Sequence, residues 1–232
     1  MTTTDDVTRL QRAVETELPR PWTEWPGGWP DEVEAALLDA VLSIRARYGR
    51  EDTGVRGAIE RYRREVGGGP IDDLPRLANF DAGRLAEVLR NEQRTSGRPK
   101  AQAIVEAARS LVDAGLRSAV DLDLETHKRA YTRVHGLGWI TWEYFTMLLG
   151  QPGAKADTWV VRWVSQQLNR DVSSKEVRSL LGEVATQLSD GETNSPHALL
   201  TRLDHQIWRT ARSTQPLRTL DRTSSRNGGI RP

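Results

Sequence analysis

Helical periodicity runs through almost the whole sequence. Between Val33 and Tyr48, apolar residues recur every three or four positions, which places them on one face of a helix. The same spacing returns in the segments 55–62, 101–112, 177–188 and 199–208. No segment shows the strict alternation of apolar and polar residues that marks a half-buried strand. The pattern therefore predicts an all-α fold of about nine or ten short helices.

Cysteine is absent from the 232 residues, which excludes disulfides, cysteine zinc sites and iron–sulfur clusters. The first ten residues are polar and acidic, unlike a signal peptide. No apolar run approaches the roughly 20 residues that a membrane span needs. We therefore expect a cytoplasmic protein that does not contact a membrane.

Charge is unevenly distributed although the net charge is only +1. Residues 1–40 hold nine acids and three arginines, a balance of −6, whereas residues 41–64 hold seven arginines and three acids, a balance of +4. The basic segment, which includes Arg45, is compatible with a phosphate-binding face because arginine forms a good fork for phosphate. An ordinary solvated helix surface would give the same pattern.

A glycine turn, Gly136-Leu137-Gly138, separates two predicted helices at 124–133 and 139–149. Glycines let the backbone approach a partner closely, and the N-terminus of the second helix adds a positive dipole. Backbone amides at Gly136, Gly138 and Ile140 could therefore hold a phosphate. By itself, a tight turn between helices explains the glycines equally well.

Two blocks together resemble the helix-hairpin-helix superfamily of DNA glycosylases, which includes endonuclease III. The first block is 134-VHGLGWIT-141, and the second, a short interval downstream, is 157-DTWVVRW-163. Helical segments on either side extend the resemblance to about residues 31–210. The resemblance implies two helical lobes with a cleft between them, and double-stranded DNA as the partner.

In such a fold the glycine turn grips the DNA backbone and Asp157 is the catalytic carboxylate. The resemblance also implies DNA contacts by Arg45, Arg94, Arg98 and Lys100. One of the three arginines would fill the gap that a flipped base leaves in the duplex, because 94-RTSGRPK-100 has no large apolar side chain to do so. Trp139, Trp142 and Trp159 are candidates for the base pocket. Aromatic residues at helical spacing are also typical of an ordinary core.

The departures from the family pattern narrow the expected chemistry. Bifunctional members carry a lysine nucleophile two residues after the second hairpin glycine, where this chain has Ile140. Isoleucine cannot form a Schiff base, so we expect a monofunctional enzyme. His135 replaces the usual proline of the turn. Lys155 lies near Asp157 but not at the family's lysine position, and a phosphate or carboxylate partner is expected for it.

The expected organisation has four parts. Segment 1–30 packs on the second lobe, 31–148 forms a barrel lobe that ends in the hairpin at 124–149, 149–215 forms the lobe with Asp157, and 216–232 is a disordered tail. We expect a monomer without a cofactor, apart from a structural Na⁺ or K⁺ at the hairpin that the resemblance implies. His127, His135, His197 and His205 show no metal-ligand spacing.

Three alternatives remain open at this stage. The chain could be a DNA-binding module that has kept the fold and lost the chemistry. It could be a protein-interaction scaffold that uses the tryptophan-rich segment 20–30. Asp157 could also be an ordinary helix N-cap, since aspartate is a favoured residue at that position.

Overall fold

The computed structural model describes residues 4–22, 25, 27–46, 53–189 and 195–214. Within these ranges the chain forms eleven α-helices. They are α1 (Thr4–Glu17), α2 (Val33–Leu42), α3 (Gly54–Glu65), α4 (Leu74–Ala78), α5 (Ala82–Leu89), α6 (Lys100–Asp113), α7 (Leu124–Thr132), α8 (Trp139–Leu148), α9 (Thr158–Leu168), α10 (Ser174–Leu188) and α11 (Pro196–Thr214). A 3₁₀ turn spans Ala119–Asp121. The predicted disordered tail at 216–232 lies outside the described residues.

A short β-ribbon interrupts the helices, which the sequence did not predict. Strands β1 (Arg94–Thr95) and β2 (Arg98–Pro99) pair antiparallel around a turn at Ser96 and Gly97. Both turn residues have positive φ, +48° and +83°, as a two-residue hairpin turn of the mirror-image type requires. Strands of two residues are too short to produce an alternating pattern, so periodicity could not reveal them.

The first lobe is built around α2, whose ten residues are all buried. Two of them are acids, Glu34 and Asp39. Glu34 accepts a hydrogen bond of 2.6 Å from the Tyr62 hydroxyl and one of 3.1 Å from Arg76 Nε. A buried carboxylate needs such partners because burial without them is costly. This network joins α2 to α3 and α4.

Helix α2 ends at Leu42, earlier than the apolar pattern to Tyr48 predicts. The Lys100 ammonium donates hydrogen bonds to the carbonyl oxygens of Leu42, at 2.8 Å, and Ile44, at 2.7 Å. The last carbonyls of a helix have no partner within the helix, and a buried ammonium satisfies them here. Arg45 then adopts φ +50° and turns the chain away.

The second lobe has its own apolar core, formed by α1, α9, α10 and α11. The N-terminal segment is divided between the lobes, whereas the sequence predicted that all of it packs on the second. Trp22 contacts the second core, but Trp25 and Trp29 pack against the first. The Trp29 indole nitrogen donates a hydrogen bond to Asp39, at 3.0 Å, which explains why this ring is drawn toward α2.

The chain passes between the lobes twice, once between α1 and α2 and once between α8 and α9. At the first passage the Trp29 amide donates to the Leu148 carbonyl at 2.5 Å. A Cβ atom on Gly28 would lie 2.3 Å from that oxygen, so only glycine fits there. An ion pair of 2.9 Å between Glu143 of α8 and Arg178 of α10 also joins the lobes. None of the described helices is both long and apolar enough to cross a membrane.

Candidate functional site

The glycine turn between α7 and α8 has one strained glycine and one extended glycine. Gly136 has φ +87°, in the region that favours glycine, and a Cβ there would lie 3.2 Å from the Thr95 side chain. Gly138 has φ −134°, and a Cβ on it would meet no atom within 4 Å. The two glycines therefore have different roles: Gly136 allows the turn to form, and Gly138 leaves its outer face open.

The amide groups of this turn are only partly free. The Gly138 amide donates to Thr141 Oγ1 at 3.0 Å, and that hydroxyl donates back to the Gly138 carbonyl at 2.8 Å. The prediction that Gly138 offers its amide to a phosphate therefore needs correction, because the amide already has an acceptor. The amides of Trp139 and Ile140, in the first turn of α8, donate to no other described residue. They leave a positive helix end facing outward.

The β-ribbon lies against the glycine turn. Thr95 Oγ1 donates to the Gly136 carbonyl at 3.2 Å, and the His135 ring contacts the Ser96 carbonyl at the same distance. The ribbon therefore brings Arg94 and Arg98 to the neighbourhood of the turn. Residues of two separate segments thus form one surface.

Three of the predicted DNA contacts have different environments. Arg94 is exposed and donates only to the nearby Gly97 carbonyl, at 3.1 Å. Arg98 is mostly buried and forms an ion pair of 2.5 Å with Glu106, yet its Nε and Nη2 atoms make no directed hydrogen bond within the described residues. Arg45 is exposed at the turn after α2. All three remain candidates for phosphate contacts.

Lys100 is not available to DNA, and its predicted phosphate contact is wrong. The side chain is 1% exposed, and its third hydrogen bond, of 2.7 Å, goes to Gln93 Oε1. Burial lowers the pKa of Lys100 to about 8. All three donors of the ammonium are engaged inside the first lobe, so the residue is structural.

Asp157 is the N-cap of α9. One carboxylate oxygen accepts from the Trp159 amide at 2.8 Å and from the Val160 amide at 3.2 Å. The side chain is half-buried, so it remains partly accessible to solvent. The predicted catalytic carboxylate therefore caps a helix at the start of the second lobe, and the second oxygen makes no hydrogen bond to a described residue.

Lys155 lies close enough to three carboxylates for their charges to act on it. Its ammonium lies 3.6 Å from the centre of the Tyr144 ring, inside the protein, although the side chain as a whole is half-buried. Burial lowers the pKa of Lys155, and the negative charges of Asp157, Asp39 and Asp204 oppose that shift.

Asp39 and Asp204, two of the acids near Lys155, come from segments that are distant in the sequence. Asp39 belongs to α2 and accepts a hydrogen bond of 3.3 Å from the Tyr144 hydroxyl. Asp204 belongs to α11, is buried, and accepts from the Ala156 amide at 3.0 Å. Asp39 had no role among the predicted site residues. A usable signal existed for both, since each is an acid within an apolar stripe: Asp39 within 35-AALLDAVL-42, and Asp204 between Leu200 and Ile207.

The three predicted pocket tryptophans separate into core and partly exposed residues. Trp142 is 2% exposed and packs against Tyr131 and Phe145, with ring centres 5.5 and 5.7 Å away. It is a core residue of the first lobe, and its assignment to the pocket is wrong. Trp139 and Trp159 are partly exposed near the glycine turn and beside Asp157, and stay candidates.

Two surface concavities lie elsewhere. One, of 510 Å³, includes Arg20, Trp22 and Leu199, and the other, of 540 Å³, includes Asp113 and Arg129. Neither is lined by Asp157. No cluster of three or more histidines and acids in the described part of the chain could hold a metal ion.

The Na⁺ or K⁺ that the resemblance implies at the hairpin would need backbone oxygens as ligands. The Gly138 carbonyl already accepts two hydrogen bonds, from Thr141 Oγ1 and the Trp142 amide. The carbonyls of Val134 and Gly136 each accept one. A carbonyl oxygen has two lone pairs, so those of Val134 and Gly136 each keep one, and a cation at the hairpin stays a prediction.

A family model described as "Domain of unknown function (DUF8548)" matches residues 8–212. The chain belongs to this family. The match covers both lobes, from α1 to α11, and includes the glycine turn, Asp157 and Asp204. No match is found among curated proteins.

Two solved structures similar to this DUF8548 chain contain DNA. A trapped covalent intermediate of endonuclease III with DNA has a TM-score of 0.53 and 18% identity, over 90% of this chain and 85% of that one. A structure of MBOgg1 with a low-affinity DNA ligand has a TM-score of 0.55 and 13% identity, over 79% of this chain. The chain spans 61% of the MBOgg1 chain. The predicted all-α, helix-hairpin-helix glycosylase fold is thereby confirmed.

Proposed function

We propose that this protein binds double-stranded DNA and hydrolyses the N-glycosidic bond of a modified base, as a monofunctional DNA glycosylase. The observation that carries the proposal is the half-buried Asp157 carboxylate at the N-terminus of α9, downstream of a glycine turn after which the first two amides of α8 donate to no described residue. A carboxylate cannot reach a base inside a duplex, so the base must first be flipped out of the stack.

In the proposed binding step, the free amides of Trp139 and Ile140 hold a backbone phosphate at the positive end of α8. Arg94 and Arg98 contact neighbouring phosphates, and an arginine fills the gap in the duplex. Phosphate contacts of this kind supply affinity with little sequence preference. Gly138 keeps this surface clear of side chains.

In the proposed chemical step, the bond between the sugar C1′ atom and the base nitrogen breaks, and the base leaves with the bonding electrons. A neutral base also takes a proton from solvent, whereas a cationic alkylated base leaves without one. The Asp157 carboxylate stabilises the positive charge that develops on the sugar, or takes a proton from the attacking water, as carboxylates do in glycoside hydrolysis. The water oxygen then bonds to C1′ and leaves an abasic site. Trp139 and Trp159 offer aromatic faces, which would favour a cationic, alkylated base.

The second candidate function is a DNA-binding module without catalysis. One observation favours it. The same Asp157 oxygen accepts from two α9 amides, which is what an ordinary N-cap does without any catalytic role. The two functions differ only in what Asp157 does, so substitution of this residue separates them.

The test measures release of free base from duplexes that carry one alkylated, oxidised or deaminated base. Asp157→Asn keeps an oxygen for the cap and removes the charge, so excision should fall by about 100-fold or more. Asp157→Ala should in addition lose about 1 kcal/mol of stability. The matched control is Asp81→Ala, which removes the N-cap of α5, whose carboxylate accepts from the Arg84 amide.

We expect Asp81→Ala to lose stability and keep its excision rate. Equal excision by wild type and Asp157→Asn would mean that Asp157 is only a cap. If the wild type binds duplex DNA and releases no base from any substrate, the DNA-binding module is the correct function.

A further inference from the structure

Two side chains of α11 hold the segment that leads into Asp157. Thr201 Oγ1 donates to the Gly153 carbonyl at 3.1 Å and accepts from the Gly153 amide at 3.3 Å. One turn further along α11, Asp204 Oδ1 accepts from the Ala156 amide at 3.0 Å. The second contact is made to the residue directly before Asp157.

Ala156 has an unusual backbone conformation. Its φ is +43°, in the left-handed region that side chains other than glycine rarely adopt. Such a conformation persists only where the surroundings enforce it, and residues held this way often serve a site. The Asp204 hydrogen bond is a direct constraint on the Ala156 amide. It therefore fixes the direction in which the chain enters the cap of α9.

Burial of the Asp204 carboxyl group costs free energy, and a role in packing alone would not require a polar side chain there. It is 6% exposed and lies among Leu200, Leu203 and Ile207 on the apolar face of α11. Burial raises the pKa of Asp204 to about 7, and the negative charge of Asp157 acts in the same direction. The Ala156 amide and the Lys155 ammonium act in the opposite direction. Burial lowers the pKa of the adjacent His205, and the charge of Arg209 acts in the same direction.

We infer that Asp204 is the positioning residue of the Asp157 site. It holds Ala156 in its left-handed conformation, and this sets the place of the Asp157 carboxylate relative to Lys155 and Tyr144. A role in excision rests on the proposed glycosylase function, whereas control of the segment does not. Asp204 touches no reacting atom; it acts through the backbone of the residue before the carboxylate.

The first experiment needs no DNA. The ¹H–¹⁵N signal of the Ala156 amide is followed from about pH 5 to pH 9 in the wild type and in Asp204→Asn. The wild-type signal should shift with a midpoint near pH 7, following Asp204, and the signal in Asp204→Asn should not shift there. If the chemical shift of the Ala156 amide and its pH dependence are the same in both proteins, the inference is wrong.

Unfolding experiments provide a second readout without DNA. The folded-state pKa of Asp204 lies above the ordinary aspartate value, so its contribution to stability is largest in acid and is lost as the pH rises toward 7. We therefore expect the unfolding free energy of the wild type to fall over this window relative to Asp204→Asn. If the difference in unfolding free energy between the two proteins does not change with pH, the role assigned to Asp204 is contradicted.

The excision experiment separates positioning from packing. Asp204→Ala should lose up to about 100-fold in excision rate, the usual order for a misplaced catalytic group. Asp204→Asn keeps an acceptor for the Ala156 amide and should recover most of the rate. Ser173→Ala is the matched control in the same lobe: it removes the N-cap of α10, which accepts from the Glu176 amide at 3.2 Å, and should lose stability and keep excision.

Two outcomes of the excision experiment contradict the inference: full activity of Asp204→Ala, or equal losses in Asp204→Asn and Asp204→Ala. If the wild type excises no base, the proposed function fails, and the Ala156 amide titration still decides the role of Asp204.

Discussion

The Thr95 hydroxyl donates a hydrogen bond of 3.2 Å to the Gly136 carbonyl, across 41 residues of sequence. This contact joins the β-ribbon to the glycine turn, so a surface that would bind phosphates depends on two segments. Gly136 is essential to the arrangement because Thr95 and Ser96 occupy the space where its Cβ would be.

We expect Gly136→Ala to destabilise the protein by about 1–2 kcal/mol, since alanine is strained at φ +87°. The new methyl group would also push against Thr95. Gly138→Ala is the matched control, because Gly138 is extended and its Cβ would meet open space. Denaturant unfolding of both variants measures the difference. If Gly136→Ala and Gly138→Ala lose equal unfolding free energy, the β-ribbon does not hold the turn.

Gly138→Asp tests the phosphate surface directly. The carboxylate would stand beside the outward-facing amides of α8 and repel a phosphate, so duplex binding should be lost while the fold remains. Gly182→Asp adds the same charge on α10, also in open space, and should bind DNA normally. Fluorescence anisotropy at two salt concentrations provides the measurement. Wild-type affinity that does not weaken at the higher salt would argue against phosphate contacts.

The reaction product should be an intact strand with an abasic site, which breaks only after alkali. Ile140 cannot form a Schiff base, and the Lys155 amine is packed against Tyr144 among carboxylates. Borohydride should therefore trap no covalent complex with DNA. A trapped adduct would contradict this prediction. Its disappearance in Lys155→Ala would then identify the nucleophile.

Lys100→Met should destabilise the first lobe without changing the phosphate surface directly. It leaves the carbonyls of Leu42 and Ile44 without their partner, at about 1–3 kcal/mol for each group that stays buried and unsatisfied. The folded-state pKa of Lys100, about 8, is below its ordinary value. Its stability contribution is therefore present at high pH and is lost as the pH falls toward 8.

Accordingly, the gap in unfolding free energy between wild type and Lys100→Met should narrow as the pH falls from about 10 to 8. Thermal or denaturant unfolding across this range measures the gap. A gap that widens toward pH 8 would contradict the buried position of the ammonium.

Local features of the site could be predicted from the sequence because they depend on neighbouring residues. The glycine turn and the cap at Asp157 belong to this class. Lys100 could not be placed correctly, since its acceptors lie 58 and 56 residues earlier, at the end of α2. The helical spacing of Trp142 is the same for a core residue and for a pocket residue, so the sequence cannot distinguish the two. The packing of α7 on α8 decides that this ring is buried.

The positioning contacts around Asp157 were beyond sequence reasoning for a related reason. Asp204 reaches Ala156 across 48 residues, and Asp39 reaches Tyr144 across 105. An acid in an apolar stripe indicates that a buried partner exists, but not which residue it is. The left-handed conformation of Ala156 left no trace in the sequence, because alanine gives no signal for it.

The double passage of the chain between the lobes sets an order for folding during synthesis. All elements of the first core lie between Val33 and Leu149, so that lobe can form as soon as this stretch has emerged. Helix α1 precedes this stretch in the sequence, yet its partners α9, α10 and α11 follow it. Helix α1 must therefore wait, with its apolar face uncovered, until α9, α10 and α11 have been made.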